Sequence, residues 1–388
     1  MKTLFFYEMK KILQRKIVWI CMLISILIIL ITVSASVLGD YEAYQTERAY
    51  EKALSGRLID DTLLKEMQEA YAKVPLDQEK YSHTDEYQTY ARPYSTIFNT
   101  VRRLTGLVTK EVLTELDNEK DIYRVRMQYL ERDWNALLLS EKEKAFWREQ
   151  EEQRESPMTF RYAEGYNMLM MHANTIGLLC IFMVSVYLAN VYTEEHIRKT
   201  DQLILSSKYG RGHTFLSKYL AGMFVAGMIS LIFILFTFGV EFFIYGAEGF
   251  EVPLQLVYGQ SSCQISVGQA VLILYSMILL ASIFEGAFVM MLSEVLHSSV
   301  GTLSVAIGII ILTMMISVPE EYRLLAQMWN FLPSNVVAVW GTFSRYLVEL
   351  FGNLYQTWQV APVVYLLLGV GAACVTKVSF VKYQVNGR

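Results

Sequence analysis

From Tyr166 the chain reads YNMLMMHANTIGLLCIFMVSVYLANVY to Tyr192, then TEEHIRKTDQLILSSKYGRGHT from Thr193 to Thr214, then FLSKYLAGMFVAGMISLIFILFTFGVEFFIY to Tyr245. Both flanking runs are nearly free of charge, and each exceeds the ~20 residues that a helix needs to cross a hydrocarbon core. Two such helices in succession place the loop between them on one face of a bilayer. Within it Ile197, Leu203, Ile204 and Leu205 stand among charges of both signs, the pattern of a short amphipathic helix lying along a membrane surface. Arg198, Lys199, Lys208, Arg211 and, just beyond, Lys218 supply the basic excess of a cytoplasmic segment. An ordinary inside loop with snorkelling cations accounts for the same residues.

The composition agrees with a bilayer setting. Of 388 residues 53% are hydrophobic, and these cluster in long runs rather than dispersing as in a soluble core. The runs predict spans at 17–38, 166–192, 215–245, 269–292, 300–318 and 360–376. Charge segregates the opposite way: about 26 acidic and 19 basic residues lie between Gly39 and Gly165, and the remainder is slightly basic. The four cysteines, Cys21, Cys180, Cys263 and Cys374, fall outside that acidic segment, so it must fold by packing rather than by disulfides. Their spacing is not that of zinc ligands.

Residues 1–16 carry Lys2, Lys10, Lys11, Arg15 and Lys16 beside Leu4, Phe5, Met9, Ile12 and Leu13 at helical spacing, which suits a cytoplasmic interfacial helix. The run at 17–38 rivals a secretory signal with Ser34-Ala35-Ser36 near a cut, but its apolar core exceeds the ~7–15 residues of a signal h-region. Residues 39–165 read as a helical module. Leu63, Met67, Ala70, Tyr71 and Val74 form one stripe; Val112, Leu116, Val125, Tyr129 and Leu130 form another, interrupted near Asp117-Asn118. Ser140 and Glu143 match a capping box, so a helix starts there. Glu241, near the outer end of its span, is expected to reach water. Residues 319–358, with Pro333 and three tryptophans, are too broken to span and suit short helices on the outer face. A basic tail, 377–388, closes the chain. Over short segments the proposed inside holds about 13 Lys/Arg and the outside about two, which puts both termini inside and 39–165 outside. The expected fold is therefore an all-α polytopic membrane protein: six transmembrane helices with a helical extracytoplasmic domain inserted between the first and second.

The order acidic pair, Thr, Leu-rich turn, Ser-Ser, Arg, then Lys opening the next helix resembles the cytoplasmic coupling loop of ABC-2-type transporter permeases, the membrane subunits of ABC exporters. The matching positions are Glu194, Glu195, Thr200, Leu203, Leu205, Ser206, Ser207, Arg211 and Lys218. Two positions depart: Lys199 stands where a small residue is frequent, and Lys208-Tyr209-Gly210 replaces a frequent proline. The resemblance implies that residues 193–214 pack against a separate ABC ATPase subunit, and that a second permease copy or a sibling permease completes the conduit. The chain has no G-x-x-x-x-G-K-[ST] loop, so it is expected to hold no cofactor of its own, with ATP bound by the partner. No metalloprotease helix or nucleophile elbow points to an enzyme, and membrane lipid rather than nucleic acid is the expected surroundings. Glu285, inside the fourth run, is either a carboxylate held by neighbouring helices or a gate or path residue. The rival functions are a membrane-bound sensor or immunity protein whose outer domain binds an external peptide, and an intramembrane enzyme using Glu285.

Overall fold

The computed structural model describes residues 2–75, 81–198 and 212–382. These divide into two compact units. One comprises Met1–Val33, Leu169–Val240 and Ile273–Arg388; the other comprises Ser34–Met168 and Glu241–Leu272.

Among the described residues five helices are long and apolar enough to cross a membrane: Lys16–Gly39, Glu164–Leu188, His213–Tyr245, Val267–Leu296 and Thr357–Lys382. The expected fifth span is shorter than predicted. Its helix, Ser299–Met315, is capped by Ser298, whose hydroxyl accepts from the Gly301 amide at 3.2 Å, and ends where Ile316 turns extended. Ile316–Val318 lead into Pro319, and a residue before proline is pushed out of helical geometry. At ~1.5 Å per residue the helix falls short of a ~30 Å core unless the bilayer thins or flanking residues snorkel. The other end of the chain runs opposite to expectation, because the last helix continues through Lys377 to Lys382. Phe380 explains this, being buried with its ring 5.8 Å from that of Tyr192 and 6.0 Å from that of Phe215.

Small residues let these helices close up. A Cβ at Gly286 would lie 3.0 Å from the Ala226 Cβ, and one at Gly222 would lie 2.3 Å from the Met290 sulfur. Between Arg323 and Thr342 the chain forms three short helices. The all-helical expectation then fails locally, since Val348–Leu350 pairs antiparallel with Asn353–Tyr355. Phe351 and Gly352 both take positive φ, the two-residue turn geometry that matches strand twist, and Gly352 supplies it without steric cost.

In the second unit both predicted stripes face inward. Leu63, Met67, Ala70, Tyr71 and Val74 are buried, as are Val112, Leu116, Val125 and Leu130, with Tyr129 half-buried. Tyr71 stacks on Phe98 with ring centres 4.3 Å apart. The break at Asp117-Asn118 is a helix start, with Asn118 accepting from the Asp121 amide at 3.3 Å and opening Glu119–Ala136. Ser140 opens Glu141–Glu152 as its capping box requires: Glu143 accepts from the Ser140 amide at 2.9 Å, and Ser140 Oγ from the Glu143 amide at 3.4 Å. The unit is not one unbroken stretch of sequence. Fully buried Arg126 donates to both oxygens of Glu151, at 3.0 and 2.8 Å, and reaches the carbonyls of Gly259, at 2.5 Å, and Ser261, at 3.0 Å, so segment 241–272 belongs to the same core. Burial alone would raise the Glu151 pKa; hydrogen bonding and charge from Arg126 overcome it and hold the carboxyl below its ordinary value.

Candidate coupling site

The N-terminal helix Lys2–Leu13 ends at Gln14-Arg15, where the Trp19 indole donates to the Leu13 carbonyl at 2.8 Å, and the first long helix starts at Lys16. Its buried positions are Glu8 and Ile12, one turn apart. That side brings Lys11 to the short helix Thr193–Arg198, which carries the acidic pair.

The two acidic residues play different parts. Glu195 is 6% exposed and bridges two elements: Lys11 Nζ donates to its Oε1 at 3.2 Å, and Lys218 Nζ lies 2.5 Å from its Oε2. Lys218, near the start of His213–Tyr245, is completely buried; it donates to the Val191 carbonyl at 3.4 Å and stands 5.4 Å from the centre of the Tyr192 ring. Glu194 is more open. It accepts from Arg15 Nη2 at 2.8 Å, and the same nitrogen reaches the Asn190 carbonyl at 3.5 Å. Glu8 completes the cluster. Its burial raises the carboxyl pKa; Lys218 and Lys11 oppose the shift, while Glu195 and Glu194 add to it.

Further bonds brace the start of the loop. Ser293 Oγ donates to the Ala189 carbonyl at 2.9 Å and accepts from the Tyr192 amide at 3.3 Å, and the Tyr187 hydroxyl donates to the Val18 carbonyl at 2.9 Å. Helices Lys2–Leu13, Lys16–Gly39, His213–Tyr245 and Val267–Leu296 thus all contact Tyr187–Arg198. A displacement of that segment must strain all four or move them.

Of the predicted loop residues, the structure brings Glu194, Glu195 and Lys218 together. Thr200, Leu203, Leu205, Ser206, Ser207 and Arg211 lie outside the described residues. Sequence reading placed Glu194 and Glu195 side by side as equals and did not identify Glu8, Lys11 and Arg15 as their neighbours. The available signal was charge complementarity: two cations four residues apart near the N-terminus, and two adjacent carboxylates after the second run.

Glu285 sits elsewhere in this unit, 4% exposed, accepting from Ser185 Oγ at 2.8 Å. Glu241 does not reach water as expected; it is fully buried. Among the described residues no group of three or more His, Cys, Asp or Glu is arranged to hold a metal ion. A family model described as "ABC-2 family transporter protein" matches residues 3–334. No curated protein and no solved structure matches the chain.

Proposed function

The chain belongs to the ABC-2 transporter family, and on that premise we propose that it is the permease subunit of an ATP-driven exporter whose ATPase is a separate chain. In this reading Ser299–Met315 also spans, as the fifth of six, both termini lie in the cytoplasm, and residues 39–165 lie outside. Two permeases, identical or sibling, line the path, and two ATPase subunits dock on residues 193–214. ATP-driven closure pushes that loop and biases the spans between inward and outward access.

One observation carries the coupling assignment. Glu195 is held between Lys11 and Lys218, so the beginning of the loop is locked by charge to the N-terminal helix and to His213–Tyr245. A flexible inside loop needs no such lock, whereas a lever does. The acidic pair then transmits force rather than forming the docking surface, which falls to the residues beyond Arg198. Burial of Glu285 against Ser185 supports a structural carboxylate over a gate.

The test pairs two measurements on the full-length chain coexpressed with ATPases of the same cell. Introducing a carboxylate at Leu203 or Leu205, as in Leu205→Glu, is expected to abolish ATPase copurification. Glu195→Gln is expected to preserve copurification and lower transport per ATP hydrolysed. Normal transport by both variants, or thiol labelling of Ser207→Cys from outside intact cells, would falsify the assignment.

A further inference from the structure

Beside the ion-paired clamp lies an open cavity of about 400 Å3 walled by Tyr7, Lys10, Lys11, Gln14, Arg15 and Glu194. Among the described residues three cations and one carboxylate face it, and that carboxylate is already matched by Arg15. Arg15 uses Nη2 for Glu194 and the Asn190 carbonyl, but its Nη1 is buried with no hydrogen-bond partner among the described residues. A guanidinium N–H removed from water without an acceptor is costly and calls for one. Lys10 is exposed and forms no ion pair with any described residue, and the Tyr7 hydroxyl and Gln14 amide add neutral donors.

A fan of donors around a concave basic surface fits a tetrahedral oxyanion better than a carboxylate, because several oxygens can accept at once. The cavity also adjoins the joint where the first long helix begins, with Lys16 and Trp19 both exposed there. Lysine and tryptophan are the residues that anchor a helix at the headgroup level.

We propose that this cavity seats a phosphate group, carried by an anionic phospholipid headgroup or by a soluble organic phosphate, with Arg15 and Lys10 as its principal donors. The consequence for coupling rests on the reading given above. A phosphate engaging Arg15 competes with Glu194 for the guanidinium, so occupancy loosens one of the two ties on Thr193–Arg198 while leaving the buried Glu195 bridge intact.

The experiment is native mass spectrometry of the full-length chain in detergent, titrated separately with phosphatidylglycerol, phosphatidylcholine and glycerol 1-phosphate. Phosphatidylglycerol is expected to bind in preference to phosphatidylcholine. Each of Lys10→Gln and Arg15→Gln is expected to weaken it about fivefold, the usual effect of one basic residue at an anionic surface. Lys2→Gln, an exposed cation on the same helix that does not line the cavity, is expected to leave it unchanged. Binding of glycerol 1-phosphate without the lipid would assign the site to a soluble phosphate. Binding of neither, or equal weakening by Lys10→Gln and Lys2→Gln, would overturn the proposal. Because Lys10 pairs with no other described residue, its variant tests the site even if Arg15→Gln disturbs folding, and none of these readouts involves an ATPase.

Discussion

Replacing Glu195 by Gln removes one charge and keeps nearly the same volume, so the variant isolates electrostatics from packing. The structure assigns that charge to two partners, Lys11 and the fully buried Lys218. Breaking a buried pair by deleting one partner costs ~3–5 kcal/mol, because an uncompensated charge is left in a poorly solvated site. The Val191 carbonyl and the Tyr192 ring relieve part of it, so about 3 kcal/mol is the expected loss. Glu194→Gln should cost far less. Its pair with Arg15 keeps side-chain exposures of 20% and 17%, and about 1 kcal/mol is the most such a contact contributes. Two neighbouring and chemically identical substitutions should therefore differ by roughly 30-fold in the unfolding equilibrium. The assay is denaturant unfolding of the purified full-length chain in detergent, followed by tryptophan fluorescence, with Lys218→Met and the Glu195→Gln/Lys218→Met double variant completing a cycle. The double variant should recover most of the loss. Equal small losses at both positions, or strict additivity in the cycle, would show that the Glu195 bridge does not hold the loop.

Three further outcomes follow from the same reasoning. Arg126→Met should destabilise the second unit by about 3 kcal/mol, the low end for a broken buried pair because Glu151 keeps Arg154 at 2.7 Å, and Arg126→Met/Glu151→Leu should restore only part of it, since Arg154 then loses its carboxylate; limited proteolysis of the full-length chain reads both. Acidification should act on two carboxyls in opposite senses. Glu151, depressed in the fold, contributes stability above its unfolded pKa that is lost as pH falls through the depressed value; Glu51, pushed up to about 7 chiefly by burial and then by Glu164, is a liability that grows as pH rises from its ordinary value toward 7, so Glu51→Gln should stabilise more at pH 8 than at pH 5 in thermal melts. Gly177→Ala should be more damaging than Gly222→Ala: the new Cβ would meet the β-branched Val337 at 2.4 Å in the first case and the flexible Met290 thioether at 2.3 Å in the second, with a cost of about 1–3 kcal/mol expected only for the first, read from the same melts.

Hydropathy and periodicity are local properties, and what depended on them was legible. The apolar runs at 166–192 and 215–245 are helices within a few residues of their expected limits, and the Leu63 to Val74 stripe is buried without exception. Ser140 and Glu143 announced a helix start because a capping box is complete within four residues. Errors appeared where a distant partner decides. Phe380 extends the last helix because Tyr192 and Phe215 await it, and the Phe351-Gly352 turn closes a hairpin that too few strand residues precede for alternation to reveal. Glu241, expected to reach water from a helix end, is buried because segment 241–272 folds into the second unit.

The same division runs through the candidate coupling site. The sequence alone determined that this is a multi-pass membrane protein with a short charged loop between two apolar helices, because burial in lipid imposes its length and polarity on every span regardless of what packs beside it. Only the tertiary structure separated Glu195 from Glu194. Neighbours in sequence share composition, but whether a carboxylate becomes a buried bridge or a half-open pair depends on which cations, here Lys11 and Lys218 against Arg15, are carried to it from over 20 to nearly 190 residues away.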